Sequence, residues 1–245
     1  MVYGKYFSLL GASTSTFDGF SNSEIYNSSI KENVPYYPKE GLLSDVNETW
    51  WMRTAEALGL RLCVNNSWSG SCVTTVVDGE EKAGCMRRAT ELHNDNLSID
   101  PDIIFLIIGG NDALRGYEIG EYSGVEDIFD EREERYIGET SLFGQAYATM
   151  VHKVKRRYPV SDIYLCSMLN WKPRRHNKSL TEYNGIIKKI ADDFAVNYVD
   201  FYNETDISPE KEEKYFHTDG VHPNKYGFLE MAKLISRILR DRYGN

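Results

Sequence analysis

Residues 103–108, Ile-Ile-Phe-Leu-Ile-Ile, form an unbroken apolar run, and two glycines follow at once. A short run rich in β-branched residues and without polar alternation predicts a strand buried on both faces, as in parallel sheets. Segments 6–10, 60–64, 162–167 and 197–201 read as further strands. Between them the apolar positions fall at helical spacing over 49–58, 81–93, 140–158, 180–195 and 226–243. In the first of these helices Trp50, Ala57 and Leu58 share a face and Gly59 stands just past the end. Basic residues gather in the last turns of 140–158, as the helix dipole prefers, and Pro159 closes it. Strand and helix alternate without a linker-like break. This predicts an α/β fold, one domain over 1–245, with a mostly parallel five-stranded sheet covered on both faces.

Two stretches depart from the pattern. Residues 17–48 show no period and hold Tyr36 and Tyr37 between two prolines, which predicts a functional surface loop. Residues 113–134 are acidic and dotted with glycine, which predicts a solvated excursion, with a lid as the alternative.

Composition narrows the function. Lys+Arg number 28 against 37 Asp+Glu, a net charge of −9, so a phosphate backbone or an anionic membrane surface would be repelled. An apolar content of 41% supports a full core. No run approaches the roughly 18 apolar residues of a membrane span. The apolar run at the N-terminus is too short for a signal peptide, which predicts a cytoplasmic protein; a secreted form stripped of its leader would read the same. Cys63 and Cys166 lie in strand-like runs and are expected in the core. Cys72 and Cys85 could meet across a loop, but a disulfide is disfavoured in that compartment. No Cys-x-x-Cys pair suggests zinc or redox chemistry.

Chemistry-bearing groups collect where strands end. Ser13 follows the first strand, Gly70 the second, Asn111 and Asp112 the central one, and Asp219 and His222 stand three residues apart near the C-terminus. A hydroxyl nucleophile, an imidazole base, a carboxylate to orient it and donors for an oxyanion are what acyl transfer needs. The Gly-x-Ser-x-Gly elbow is absent, since Ser15 stands two residues after Ser13. Each group also has a plainer use: Ser13 as a turn serine, Gly70 as a turn glycine, Asn111 as a turn former, Asp112 as a cap or brace for its loop.

The segments Leu10-Gly11-Ala12-Ser13, Gly70, Gly109-Gly110-Asn111-Asp112 and Asp219-Gly220-Val221-His222 occur in the order of the four motifs of the SGNH (GDSL-type) hydrolases. The chain resembles that superfamily along nearly its whole length. The resemblance implies a flavodoxin-like three-layer α/β/α sandwich and a serine esterase needing no cofactor or metal. It makes Ser13 the nucleophile, His222 its base and Asp219 the orienting acid, with Ser13, Gly70 and Asn111 around the oxyanion. One position departs from it. Ala12 stands where the family carries an aspartate, which implies a nucleophile loop lacking one brace. His217 competes with His222 for the role of base, and a zinc site of His217, Asp219 and His222 fits ligand spacing poorly. Trp50 and Trp51 are expected in the core. Trp68 and Trp171 are candidates to line the substrate pocket, and Tyr36 and Tyr37 to stack on sugar rings. The expected substrate is a small-molecule or carbohydrate ester, with removal of an O-acetyl group favoured over a fatty acyl chain or a thioester; a non-catalytic acyl-binding module is the rival.

Overall fold

The computed structural model of the chain describes residues 1–20, 35–39, 42–172 and 180–244. Strands β1 (Tyr6–Gly11), β2 (Arg61–Ser67), β3 (Ile103–Ile107), β6 (Asp162–Cys166) and β7 (Asn197–Val199) make one parallel sheet in the order β2-β1-β3-β6-β7. A two-stranded antiparallel ribbon, β4 (Phe129–Asp130) and β5 (Arg135–Tyr136), stands apart. β3 is central and almost wholly buried, as its unbroken apolar run requires. The order reverses at β1, so the strand ends of β1 and β3 flank a topological switch point, where α/β sheets bind ligands.

Helix α1 (Trp50–Leu58) joins β1 to β2 and packs on the long C-terminal helix α8 (Lys225–Tyr243). Helices α4 (Phe143–Arg157) and α5 (Leu180–Asp193) join β3 to β6 and β6 to β7, and pack together. Right-handed crossovers running opposite ways along the sheet put these pairs on opposite faces. The α/β sandwich with a five-stranded parallel sheet is therefore borne out. Trp50 and Trp51 are fully buried as expected, and Trp50 meets Phe105 edge to face.

Several local expectations change. The helix predicted over 81–93 is displaced: α2 (Thr75–Lys82) precedes it and bends at Gly79, and only a short 3-10 turn, Arg87–Thr90, follows. Cys85, Ala89 and Leu92 recur at helical spacing, yet Gly84 and Cys85 donate instead to the carbonyls of Cys72 and Val73. That cross-link draws the chain inward and takes Arg88 into the interior. All four cysteines are buried and free; the Cys72 thiol receives Arg115, so the considered Cys72–Cys85 bridge is not formed. The acidic segment packs Phe129 on His152 and Arg156 of α4, and Lys189 of α5 donates to the Ser123 carbonyl. From residue 116 on it lies along those helices as an excursion, away from the cleft described below.

Between β3 and the ribbon, helix α3 (Gly110–Arg115) bears on function, as do the short helices α6 (Phe201–Glu204) and α7 (Glu212–Tyr215), which lead into the C-terminal loop. Residues 21–34 and 40–41 of the irregular stretch, and 173–175 of the loop after β6, lie outside the described residues. Among the described residues no helix is long and apolar enough to cross a membrane.

Candidate active site

Ser13 opens a single 3-10 turn, Ser13–Ser15, directly after β1. The turn is tied from several directions. Asn65 Nδ2 donates to the Ser15 carbonyl at 2.8 Å, Trp50 Nε1 to Ser15 Oγ at 3.3 Å, and Thr16 Oγ1 to the Ser13 carbonyl at 2.9 Å. Beneath it the fully buried Arg88 gives Nη2 to the carbonyls of Gly11 and Asn66, both at 2.7 Å, and Nη1 to Lys82 O at 2.8 Å. One guanidinium thereby clamps the carboxyl ends of β1 and β2. A Cβ on Gly11 would sit 2.9 Å from Ser15 Oγ, so glycine there is what lets the turn close.

Asn111 and Asp112 start α3. Gly109 takes φ +118 and an added Cβ would meet Phe143 at 3.0 Å, while a Cβ on Gly110 would meet the Trp171 ring at 3.2 Å. Both glycines of the motif are thus required, one chiefly for conformation and one for contact. Asn111 Nδ2 donates to the Ser71 carbonyl at 2.9 Å. Asp112 is wholly buried and accepts from Val73 N (2.9 Å), Thr74 N (3.1 Å) and Thr74 Oγ1 (2.9 Å), which fixes the loop after β2 to α3. Burial pushes its carboxyl up to about 6 despite those donors. It braces and does not face the cleft, as the residue type suggested.

His222 and Asp219 belong to a compact loop closed by an antiparallel bridge between Phe216 and Pro223. Asp219 Oδ1 accepts the backbone N–H groups of Val221 and His222, both at 2.9 Å. Its Oδ2 accepts His222 Nδ1 at 2.8 Å and the Tyr36 hydroxyl at 2.6 Å. With Nδ1 the donor, Nε2 is left to accept, and it stands 2.8 Å from Ser13 Oγ. Burial pushes the Asp219 carboxyl up, but the surrounding donors outweigh it and hold it well below the usual carboxylate range. Burial lowers the His222 imidazole below its ordinary value, with Lys39 and His217 adding to the effect and Asp219 opposing it. The result is an imidazole that is neutral near pH 7 and aimed at a hydroxyl, an arrangement able to take a proton from it.

Ser13, Asn111 and His222 open into one cleft with Ala12, Thr14, Ile107, Leu114, Cys166, Met168, Trp171 and Met231 in its walls. Its volume, counted as room for the centre of a water molecule, is about 60 Å³. Trp171 lines it as expected, but Trp68 does not: β2 runs on to Ser67, so Trp68 is set at the strand end with 1% of its surface exposed, its ring under Lys82. Gly70 makes its turn at φ +75 and gives its carbonyl to Arg115, outside the cleft lining. Tyr37 is buried, its hydroxyl on the Pro223 carbonyl at 2.8 Å, and the face of Tyr36 is taken by His222 at 3.6 Å. Neither ring is an open platform for a sugar. His217 Nδ1 lies 3.7 Å from Asp219 Oδ2, and the His222 nitrogens are engaged elsewhere, so these three do not converge as metal ligands.

One residue of this site escapes the sequence, and a second is singled out there only for another role, stacking on sugar rings. Arg88 is hidden by the helical spacing of its neighbours. Tyr36 lies in an aperiodic stretch, where only the Pro-Tyr-Tyr-Pro run marks it.

A family model described as GDSL-like lipase/acylhydrolase matches residues 5–239. A multidomain esterase from Ruminococcus flavefaciens is 28% identical over 136 residues, which is 54% of this chain and 15% of that protein. The chain thus spans a small part of the curated relative it matches. Among solved structures, a protein assigned as a GDSL-like lipase from Bacteroides ovatus superposes with a TM-score of 0.70 at 23% identity, over 97% of this chain and 99% of that one. A family two carbohydrate esterase from Clostridium thermocellum, in complex with cellohexaose, gives a TM-score of 0.61 at 15% identity, over 100% of this chain and 66% of that one. At such identities the structural likeness concerns the fold.

Proposed function

The chain belongs to the GDSL-like lipase/acylhydrolase family, and on that premise we propose that Ser13, His222 and Asp219 act as a triad removing short acyl groups, O-acetyl above all, from a carbohydrate or glycoconjugate. The observation that carries this reading is the unbroken chain of hydrogen bonds from Ser13 Oγ through His222 to Asp219. His222 Nε2 takes the Ser13 proton as Oγ attacks the ester carbonyl, and Asp219 holds the imidazolium that forms. The same nitrogen then protonates the departing alcohol. The acyl-enzyme is released by water that His222 activates in turn. The oxyanion is met by the Ser13 N–H and by the Asn111 amide, whose second hydrogen is not needed by Ser71. Gly70 N–H is the third donor in this reading.

A cleft with about 60 Å³ for water centres supports a short acyl group, since one water needs only about 10–15 Å³ on that measure and a long chain needs far more. The esterase relative and the fold shared with a carbohydrate esterase support a sugar on the alcohol side.

Replacing Ser13 with Ala should lower kcat for p-nitrophenyl acetate by about three or more orders of magnitude, and a fluorophosphonate probe should label Ser13 in the parent only. Near-full activity in Ser13→Ala would overturn the nucleophile; failure of labelling together with failure to hydrolyse any ester would favour the binding module. A panel from acetylated xylan to p-nitrophenyl palmitate tests the substrate. A preference for chains beyond about ten carbons, at roughly 0.8 kcal/mol per buried CH₂, would turn the reading to a lipase.

A further inference from the structure

Tyr36 sits 183 positions in sequence from Asp219, yet its hydroxyl donates to Asp219 Oδ2 at 2.6 Å, the oxygen that also receives His222 Nδ1. Its ring lies on the imidazole with centroids 3.6 Å apart and planes within 10°, closer than ordinary aromatic pairs. The backbone is held as well: Tyr36 N donates to Thr16 Oγ1 at 2.9 Å, and Thr16 Oγ1 donates to the Ser13 carbonyl at 2.9 Å. Tyr37 beside it anchors to the Pro223 carbonyl, next to His222. One residue thus touches the acid and the base and is tied by one intermediary to the nucleophile turn, without lining the cleft.

We propose that Tyr36 is a positioning residue of the triad. Its hydroxyl holds the Asp219 carboxylate, and its face keeps the imidazole in the plane that meets Ser13. This rests on the triad reading above. The imidazole has two rotatable bonds; Asp219 restrains it in its plane by one hydrogen bond, and a flat ring at stacking distance restrains the tilt that the bond leaves free. Burial and the adjacent carboxylate push the Tyr36 phenol well above its ordinary value, so it stays a donor throughout the working pH range.

The groups facing His222 are Asp219 and Ser13 in its plane, Tyr36 on its face, the edge of Tyr37 at 6.5 Å, and the more distant charges of Lys39 and His217. Removing the Tyr36 hydroxyl leaves His222 Nδ1 as the hydrogen-bond donor to Asp219 Oδ2, with His217 Nδ1 farther off at 3.7 Å. The carboxylate then stabilises the imidazolium better, so the histidine should become more basic. Stripping the ring as well admits water to the imidazole, which moves it the same way.

The test uses Tyr36→Phe, which keeps the ring, and Tyr36→Leu, which does not, each checked for folding by its thermal melt. The His222 imidazole is titrated by NMR with no substrate present, and kcat and KM for p-nitrophenyl acetate and acetylated xylan are followed against pH. In Tyr36→Phe the NMR midpoint and the acid limb of kcat/KM should both rise, by roughly half a unit to one unit. Activity below the limb falls accordingly, because the base must be neutral. Tyr36→Leu should move further and lose on the order of tenfold in kcat, with KM little changed. An unmoved midpoint and limb in both variants would overturn the proposal. So would a rise in KM for the polysaccharide alone, which would make Tyr36 a substrate platform. The NMR midpoint needs no turnover: if it moves while Ser13→Ala stays active, the contact stands and the triad reading falls.

Discussion

Ser13 and His222 meet at 2.8 Å, but the segments that carry them are built on different plans. The turn of Ser13 is buried and is fastened from outside itself: by Arg88 below it, Asn65 from β2 and Trp50 from α1. The loop of His222 largely fastens itself. His217 N donates to the His222 carbonyl at 2.9 Å, Gly220 N to the His217 carbonyl at 2.7 Å, and Asp219 gathers the N–H groups of its own turn. Its outside ties come from Tyr36 and Tyr37. A part held by distant side chains fails when the fold loosens; a part held by its own turn fails only when its few outside ties are cut. Substitutions in the two segments should therefore read out differently, in stability for the first and in proton chemistry for the second.

The largest effect should come from Arg88→Met. It leaves the carbonyls of Gly11, Asn66 and Lys82 without that donor in a dry interior. A hydrogen bond to a charged group is worth about 1.5–3 kcal/mol, and with three carbonyls losing one donor a loss of at least about 3 kcal/mol is expected in urea denaturation. The fraction still folded at low urea should label poorly at Ser13 with the fluorophosphonate. A loss below about 1 kcal/mol, the size of one ordinary hydrogen bond, would mean that Asn65 and Trp50 hold the turn and that the two segments are fastened more alike than these bonds suggest.

The same contrast explains what could be read from the chain. Asp219-Gly220-Val221-His222 works within one turn, so its spacing discloses the pairing, and the Gly109–Asp112 motif discloses its tight turn for the same reason. The strands were visible because burial on both faces demands apolar runs. Arg88 and Tyr36 act across the fold, and nothing near them in sequence records their partners. Trp68 was misplaced by three residues of strand: Asn65, Asn66 and Ser67 look like loop residues but lie in β2, their polarity serving loops that pack beside it. The helix expected over 81–93 failed because a helical spacing can also be produced by a folded-back loop with alternate buried residues.

A middle-sized effect is expected from Ala12→Asp, which would give this chain the residue its family usually has. Ala12 is 7% exposed and lines the cleft beside Ile107, Cys166 and Met231. Its neighbours Thr16, Asn65 and Trp50 already brace the turn, so the alanine is not a simple missing brace. A carboxyl group there would be desolvated against apolar walls, which costs about 1–3 kcal/mol even for a neutral polar group and more for the ionised form. The melting temperature should fall and kcat should not rise. A gain of about tenfold in kcat, near 1.4 kcal/mol in the barrier, would show that the turn of Ser13 is under-braced after all.

The smallest effect should belong to His217→Ala, and it tests whether the second segment is as self-contained as its bonds suggest. The backbone bond from residue 217 to the His222 carbonyl survives in alanine, so the loop should keep its shape. What is lost is a neighbouring imidazole: His217 stands 3.7 Å from the carboxylate that His222 holds at 2.8 Å, and its presence helps to lower the His222 imidazole. Without it, protonation of His222 becomes easier, and the acid limb of kcat/KM should move slightly upward in pH. At pH 8, above the limb in both proteins, kcat should stay within about threefold, under roughly 0.7 kcal/mol. A collapse of kcat at that pH would make His217 the base and would leave the His222–Ser13 contact as mere packing. An acid limb moving downward instead would show that His217 acts on Asp219 more strongly than on His222, drawing negative charge away from the base it is meant to repel.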